Sequence, residues 1–295
     1  MAVHLPFSDI QMIVVNTIFL VLSIGTVIAR FYARHLQRKT ISLDDHFIVA
    51  SLVFTTAVIC IGYATALDGG AGLHTKDASK EQIAMIFKLY VPASLLWVLA
   101  TSFLKLSILC FYLSIFTTPK FRIAVYVVMG LTAAHFAVVV LRAFLLCRPV
   151  AFNWDKSITG TCGDRVKAYL ATCVLNLLID LSVVALPMPA LWSLKMPLKK
   201  KLAVSGILGL GLVICGITAA RVKFVLELDP KEFAYNSATQ SIVAALELEL
   251  GIVNGCLPIL RPLVRKFFGQ GSIPTKSNKQ IYQIVKQMKL FPTIK

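Results

Sequence analysis

Apolar residues run along this chain in long blocks, without the strict alternation of exposed strands or the single stripe of a soluble helix. Each block is close to the roughly 20 residues that a helix needs to cross a bilayer. The blocks predict seven helices, at Ile10–Ala29, Phe47–Leu67, Ile83–Phe116, Ile123–Leu146, Ala168–Leu191, Leu202–Leu226 and Ser241–Leu260. The expected fold is all-α, a polytopic seven-helix membrane domain over residues 1–268. A polar, basic stretch at 269–295 follows it, either an interfacial helix on anionic lipid or a plain tail. The third block is longer than a bilayer requires and is expected to tilt or to begin outside it. No basic region precedes the first block, so the first helix is expected to direct membrane insertion in place of a cleaved signal peptide.

Composition agrees with the pattern. The chain is 57% hydrophobic and 15% charged, where soluble domains carry about 25% charged residues. A net charge of +16 would suggest nucleic acid in a soluble protein, but here the bases collect on alternate connections. Arg30, Arg34, Arg38, Lys39, Lys120, Arg122, Lys195 and Lys199–Lys201 follow helices one, three and five, against Asp44 and Asp45. The other connections balance bases with acids, and the stretch after Leu260 holds bases without acids. By the positive-inside tendency the N-terminus lies outside and the C-terminus in the cytosol. The expected partners are the bilayer and a small lipophilic molecule, with no nucleic acid.

Two outer connections contain candidate chemistry. "CRPVAFNWDKSITGTC" places Cys147 and Cys162 at the ends of a polar loop, as expected of a disulfide in an oxidising compartment. Asn153 and Trp154 inside it would sit at headgroup level or cover the bundle mouth. His74, after helix two, has acids nearby that could gather into a cation site, but ordinary solvated loop acids are the better reading. No His/Cys spacing suggests a metal. Cys60, Cys110, Cys173, Cys215 and Cys256 fall in apolar blocks and read as core thiols.

Charges inside the apolar blocks need partners or water. Lys105 in helix three and Asp180 in helix five fall at similar depth, with Asn176 one helical turn from Asp180. Glu247, Glu249, Arg221, Arg142 and His135 complete the candidates. Together they are expected to line a polar chamber open to the outer side. Glu247 and Glu249 cannot share one helix face, and Gln240, Glu247, Gly251 and Asn254 form a stripe at helical spacing. Glu247 is therefore expected to face inward, and Glu249 a neighbouring helix or the headgroups. Three uses stay open: a lock between helices three and five, a binding or catalytic chamber, and an ion or proton path. Pro187, Pro189 and Pro258 are expected to end or break their helices, and small residues from Gly206 to Gly216 to allow close packing.

"ARFYARHLQRKTISLDD", "LKLSILCFYLSIF", "LIDLSVVALPMPALWSLKMPLKKKL" and "LELELGIVNGCLPILRPL", with the paired-cysteine loop between the second and third, occur in this order. They resemble the fungal rhodopsin domain, a seven-helix family that includes the satratoxin-cluster and Pth11-like proteins, over roughly residues 20–268. The resemblance implies that Lys105, Asp180, Arg221, Glu247, Cys147, Cys162 and Trp154 stand at motif positions of the family. It implies a role in fungal secondary metabolism or in sensing. Helix seven has no lysine, so no retinal Schiff base and no other cofactor is expected. The expected function is binding of a lipophilic metabolite. The alternatives are a cofactor-independent cyclase or isomerase using the carboxylates and, last, a transporter. Either the plasma membrane or the endoplasmic reticulum would house it.

Overall fold

In a computed structural model, residues 7–69, 79–154, 158–189, 198–226 and 233–267 are described. They form seven long helices: α1 (Phe7–Leu36), α2 (Leu43–Leu67), α3 (Lys80–Ile115), α4 (Pro119–Leu145), α5 (Arg165–Ala185), α6 (Leu198–Leu226) and α7 (Phe233–Phe267). Each contains a stretch long and apolar enough to cross a membrane. Between α4 and α5 a short hairpin pairs β1 (Cys147–Arg148) with β2 (Thr161–Cys162), and the turn Val150–Asn153 lies inside it. His74 and the 269–295 stretch lie outside the described residues.

The helices turn oily side chains outward and keep their polar ones inside, among apolar core residues. On α1, Val14, Ile18, Val21 and Ile28 face outward at 50–64% exposure, while Asn16, Ser23 and Arg30 are buried. In water that arrangement would be inverted, because exposed apolar surface costs about 25 cal/mol per Å²; in lipid the outward residues meet their own kind. The helices pack in sequence around a ring, with α7 closing against α1 and also touching α2 and α3. Half of the α7 span is buried, against 22–28% for the others, so α7 is the central helix. Its approach to α3 is close: a Cβ at Gly251 would stand 2.4 Å from Leu104 Cδ2.

Several helix ends differ from the sequence expectation. The first helix continues past Ala29 to Leu36, because Arg30 and Arg34 are engaged rather than solvated. It stops where Arg38 turns left-handed (φ 52°) and Lys39 N donates to Arg34 O at 3.2 Å. The fifth ends at Ala185, before the expected Leu191: Leu186 still donates its amide to Ser182 O, but Pro187 has no amide to continue the ladder. Pro258, expected to break the seventh helix, lies within it. Membrane helices tolerate proline where neighbours take up the freed backbone groups, and Arg30 Nη1 donates to the nearby Gly255 carbonyl at 2.9 Å.

Arg30, Arg34, Asp44 and Asp45, which look like loop charges in the sequence, form a buried box at the end of the bundle opposite the hairpin. Arg30 Nε lies 2.8 Å from Asp45 Oδ1, and Arg30 Nη2 lies 2.5 Å from Asp44 Oδ2. Arg34 pairs with both carboxylates, its Nε 2.7 Å from Asp45 Oδ2. Asp45 also accepts from Ser42 N at 3.0 Å, capping α2. Ser107 Oγ donates to Asp44 O at 2.6 Å, which ties in α3. These charges cancel within the protein, so the loop asymmetry rests on the remaining bases.

Candidate functional site

Helix α5 carries the ladder on which the site is built. Arg165, Tyr169, Thr172, Asn176 and Asp180 recur at three- and four-residue spacing, so they share one face. The helix opens at Asp164, whose carboxylate accepts from Lys167 N at 3.1 Å. That bond, with the Lys167 ammonium beside it, holds the carboxyl below its usual range.

At mid-depth the ladder meets α3, α6 and α7. Lys105 Nζ lies 3.1 Å from Asp180 Oδ1 and donates to Asn176 Oδ1 at 2.7 Å. Asn176 Nδ2 donates to Asp180 Oδ2 at 3.0 Å and to Glu247 Oε1 at 2.7 Å. Glu247 Oε2 takes Arg221 Nη1 at 3.0 Å. The remaining donors of Arg221 go to Tyr169 Oη, Nη2 at 2.7 Å and Nε at 3.2 Å, and its guanidinium lies 4.2 Å from the Trp97 ring centroid. Two cations thus face two carboxylates through one asparagine, linking four helices.

Above this network, on the hairpin side, lies a cavity of about 400 Å³. Trp97 and Arg221 bound it at the network side, and Leu146 and Asn153 at the hairpin. Apolar side chains from α2, α3, α4 and α7 make most of the wall, with Arg142, Arg165, Asn16 and Gln240 as polar points. Among the described residues no Asp or Glu lines it. A second void, about 50 Å³, lies among Lys105, Asp180, Glu247, Gly211 and Asn254.

Five of the sequence candidates therefore come together: Lys105, Asn176, Asp180, Arg221 and Glu247. They do not form an open chamber. Arg221 and Arg142 line the large cavity, whereas Lys105, Asp180 and Glu247 lie beyond it against the small void. The physical reason is that Lys105, Asp180, Arg221 and Glu247 are spent on one another and on Asn176 within the bundle. Arg142 sits over the Tyr169 ring at 5.2 Å and donates Nη1 to Thr172 Oγ1 at 3.3 Å. His135 is buried edge-on to Trp97, outside the network. Glu249 is fully buried and outside the network: Ser23 Oγ on α1 donates to its backbone carbonyl at 3.1 Å, while its carboxyl oxygens have no hydrogen-bond partner. Cys147 and Cys162 form a disulfide that closes the hairpin. Asn153 Nδ2 donates to Val150 O at 3.1 Å, and half-buried Trp154 follows it.

Arg165, Tyr169 and Trp97 are site residues that the sequence reading passes over. The first had the appearance of a loop base and the other two of core or interface aromatics. For Arg165 and Tyr169 the signal was the spacing itself, since they extend the Asn176–Asp180 face outward by about three turns.

Seven bilayer-length helices with polar groups turned inward define an integral membrane protein with an internal cavity. Residues 29–266 match the fungal rhodopsin domain, and the chain belongs to that family. It is similar to an SAT4 family membrane protein of Emericella nidulans, 26% identical over 68% of this chain and 52% of the relative. It is also similar to polyenoic acids biosynthesis gene cluster protein Ba17b of Metarhizium anisopliae, 22% identical over 88% of this chain and 75% of the relative. Receptor GIN3 of Arthrobotrys oligospora is 22% identical over 63% of this chain and 46% of the relative. The chain spans about half the length of the first and third of these. No solved structure matches it.

Proposed function

We propose that the protein binds a small lipophilic metabolite in the hairpin-end cavity, in fungal secondary metabolism or chemical sensing. The cavity carries this reading: about 400 Å³ falls within the roughly 300–1,000 Å³ of ligand sites, and its mostly apolar wall with a few polar points is their usual chemistry. Relatives named for a polyenoic acid gene cluster and as a receptor support the two settings. The hairpin end faces the cell exterior or an organelle lumen in this proposal. A disulfide there is favoured in oxidising compartments, and the loop bases at the other end agree.

Binding is a better account than acid–base turnover by Asp180 and Glu247. Both carboxylates are turned to partners within the bundle, and neither lines the large cavity. Their work in this reading is to hold Arg221 and α5 in place beneath the ligand.

The test is extraction of small molecules from protein purified in native lipid from its producing host, compared with Ala245→Phe, which fills the cavity wall. A compound that accompanies the unmodified protein and is missing from a folded Ala245→Phe protein supports the proposal. Identical extracts from both count against it.

A further inference from the structure

The charges on the cavity wall are not balanced. Arg221 is met by Glu247, and Lys105 by Asp180. Arg142 and Arg165 both line the cavity, and neither has a carboxylate at ion-pair distance among the described residues. Among the described residues their partners are neutral: Arg142 also meets the Tyr90 hydroxyl and lies over the Tyr169 ring at 5.2 Å, and Arg165 lies over the Phe87 ring at 5.6 Å. Arg142 uses Nη1 on Thr172, and Arg165 uses Nη2 in long contacts, 3.3–3.5 Å, to the Phe152 and Asn153 carbonyls and the disulfide sulfurs. Two guanidinium forks flanking Tyr169 at the rim of an oily cavity suit a planar anion, which accepts paired hydrogen bonds from such donors.

A second observation comes from the α1 and α7 side of the cavity. Asn16 is 2% exposed, lines the cavity, and its side-chain oxygen has no hydrogen-bond partner. The side-chain oxygen of Gln240, also on the wall, is likewise without one. A buried polar atom left unpaired keeps its desolvation cost uncompensated, so an apolar ligand filling this wall would waste both amides. A hydroxyl there can donate its one proton to one of these oxygens and, with the other amide reversed, accept from that amide's nitrogen.

We propose that the ligand is a lipophilic carboxylic acid with its carboxylate on Arg142 and Arg165 and a remote hydroxyl on Asn16 and Gln240, the apolar chain lying between. This rests on the reading of the cavity as a ligand site. It goes further by naming the ligand's chemical class and its polarity at both ends.

The experiment uses the full chain in lipid nanodiscs, with empty nanodiscs subtracting partition into lipid. Calorimetric titration compares ω-hydroxydodecanoic acid, dodecanoic acid, the methyl ester of the hydroxy acid, dodecanol and dodecyl phosphate. The hydroxy acid is expected to bind about tenfold or more tightly than its ester, as the loss of a charged hydrogen bond predicts. Arg142→Gln with Arg165→Gln is expected to abolish that preference, and Arg142→Lys with Arg165→Lys to keep part of it. Asn16→Leu is expected to erase the advantage of the hydroxy acid over dodecanoic acid. Equal binding of acid and ester, or preference for dodecyl phosphate, overturns the carboxylate assignment while the cavity remains a binding site. Equal binding of hydroxy acid and dodecanoic acid to the unmodified protein overturns the hydroxyl assignment. Absence of specific binding by every probe overturns the binding-site reading itself.

Discussion

Arg221 Nη1 on α6 lies 3.0 Å from Glu247 Oε2 on α7, and both side chains are 4% exposed. Arg221 lies at the base of the cavity, and Glu247 beneath it belongs to the buried network. Removing one member strands the other charge at mid-membrane depth. Glu247→Ala should destabilise the protein by about 3–5 kcal/mol, the cost of a broken buried pair. Thermal denaturation in detergent at one scan rate measures it. Glu247→Gln keeps the contact with Asn176 and should lose less; an unchanged midpoint for Glu247→Ala would remove the pair from the account of stability.

Lys105 and Asp180 join α3 to α5 in the same network. Lys105→Met and Asp180→Leu should each destabilise, while the double substitution recovers much of the loss, because it leaves no unpaired charge. A double-mutant cycle on denaturation midpoints reads this coupling. Additive losses would mean that Asn176 and the small void, not the pairing, satisfy each charge.

At the opposite end, Asp45 serves Arg30, Arg34 and the start of α2 together. Asp45→Asn should cost about 3 kcal/mol or more and lower the yield of folded protein. Arg34→Gln should cost less, since Arg34 is 12% exposed where Arg30 is 1%. Fluorescence-detected size-exclusion after graded heating ranks the variants.

Gly251→Ala should cost about 1–3 kcal/mol through overpacking, because Leu104 Cδ2 occupies the space and is itself held among Ile48, Ile252 and Cys256. Leu104→Ala should relieve the clash in the double variant. If Gly251→Ala alone is neutral, α3 and α7 have room to separate.

Ser157→Asn completes an Asn-x-Thr sequence with Thr159. Expression in a glycosylating host should add a glycan removable by endoglycosidase, since the hairpin is proposed to face the lumen or exterior. Failure to glycosylate a folded, disulfide-bonded variant would reverse the proposed orientation.

Reduction of Cys147–Cys162 should lower stability by about 3 kcal/mol, the loop-closure value for a separation of 15 residues. Thermal denaturation with and without reductant measures it, with maleimide labelling of the two thiols confirming reduction.

The number of spans and their rough positions were written in the sequence because crossing a bilayer is a local demand, met by each block from its own length and oiliness. The disulfide was legible for a similar reason: two cysteines bracket one short polar loop. Lys105, Asp180, Asn176 and Glu247 could be proposed as interior from depth and helical spacing alone. Contacts between helices are different, since they depend on how each helix is rotated and how closely it packs. That is why Arg30 and Asp45 read as loop charges until the bundle buried them together. Gly251 and Leu104 decide how near α3 comes to α7, and Arg221 divides its donors between Glu247 and Tyr169. Only the assembled bundle could turn the expected open chamber into a paired network with an apolar cavity above it, leaving Arg142 and Arg165 on that cavity's wall. Hydrophobicity determines which segments enter lipid, but the pairing of buried charges determines what space is left between them.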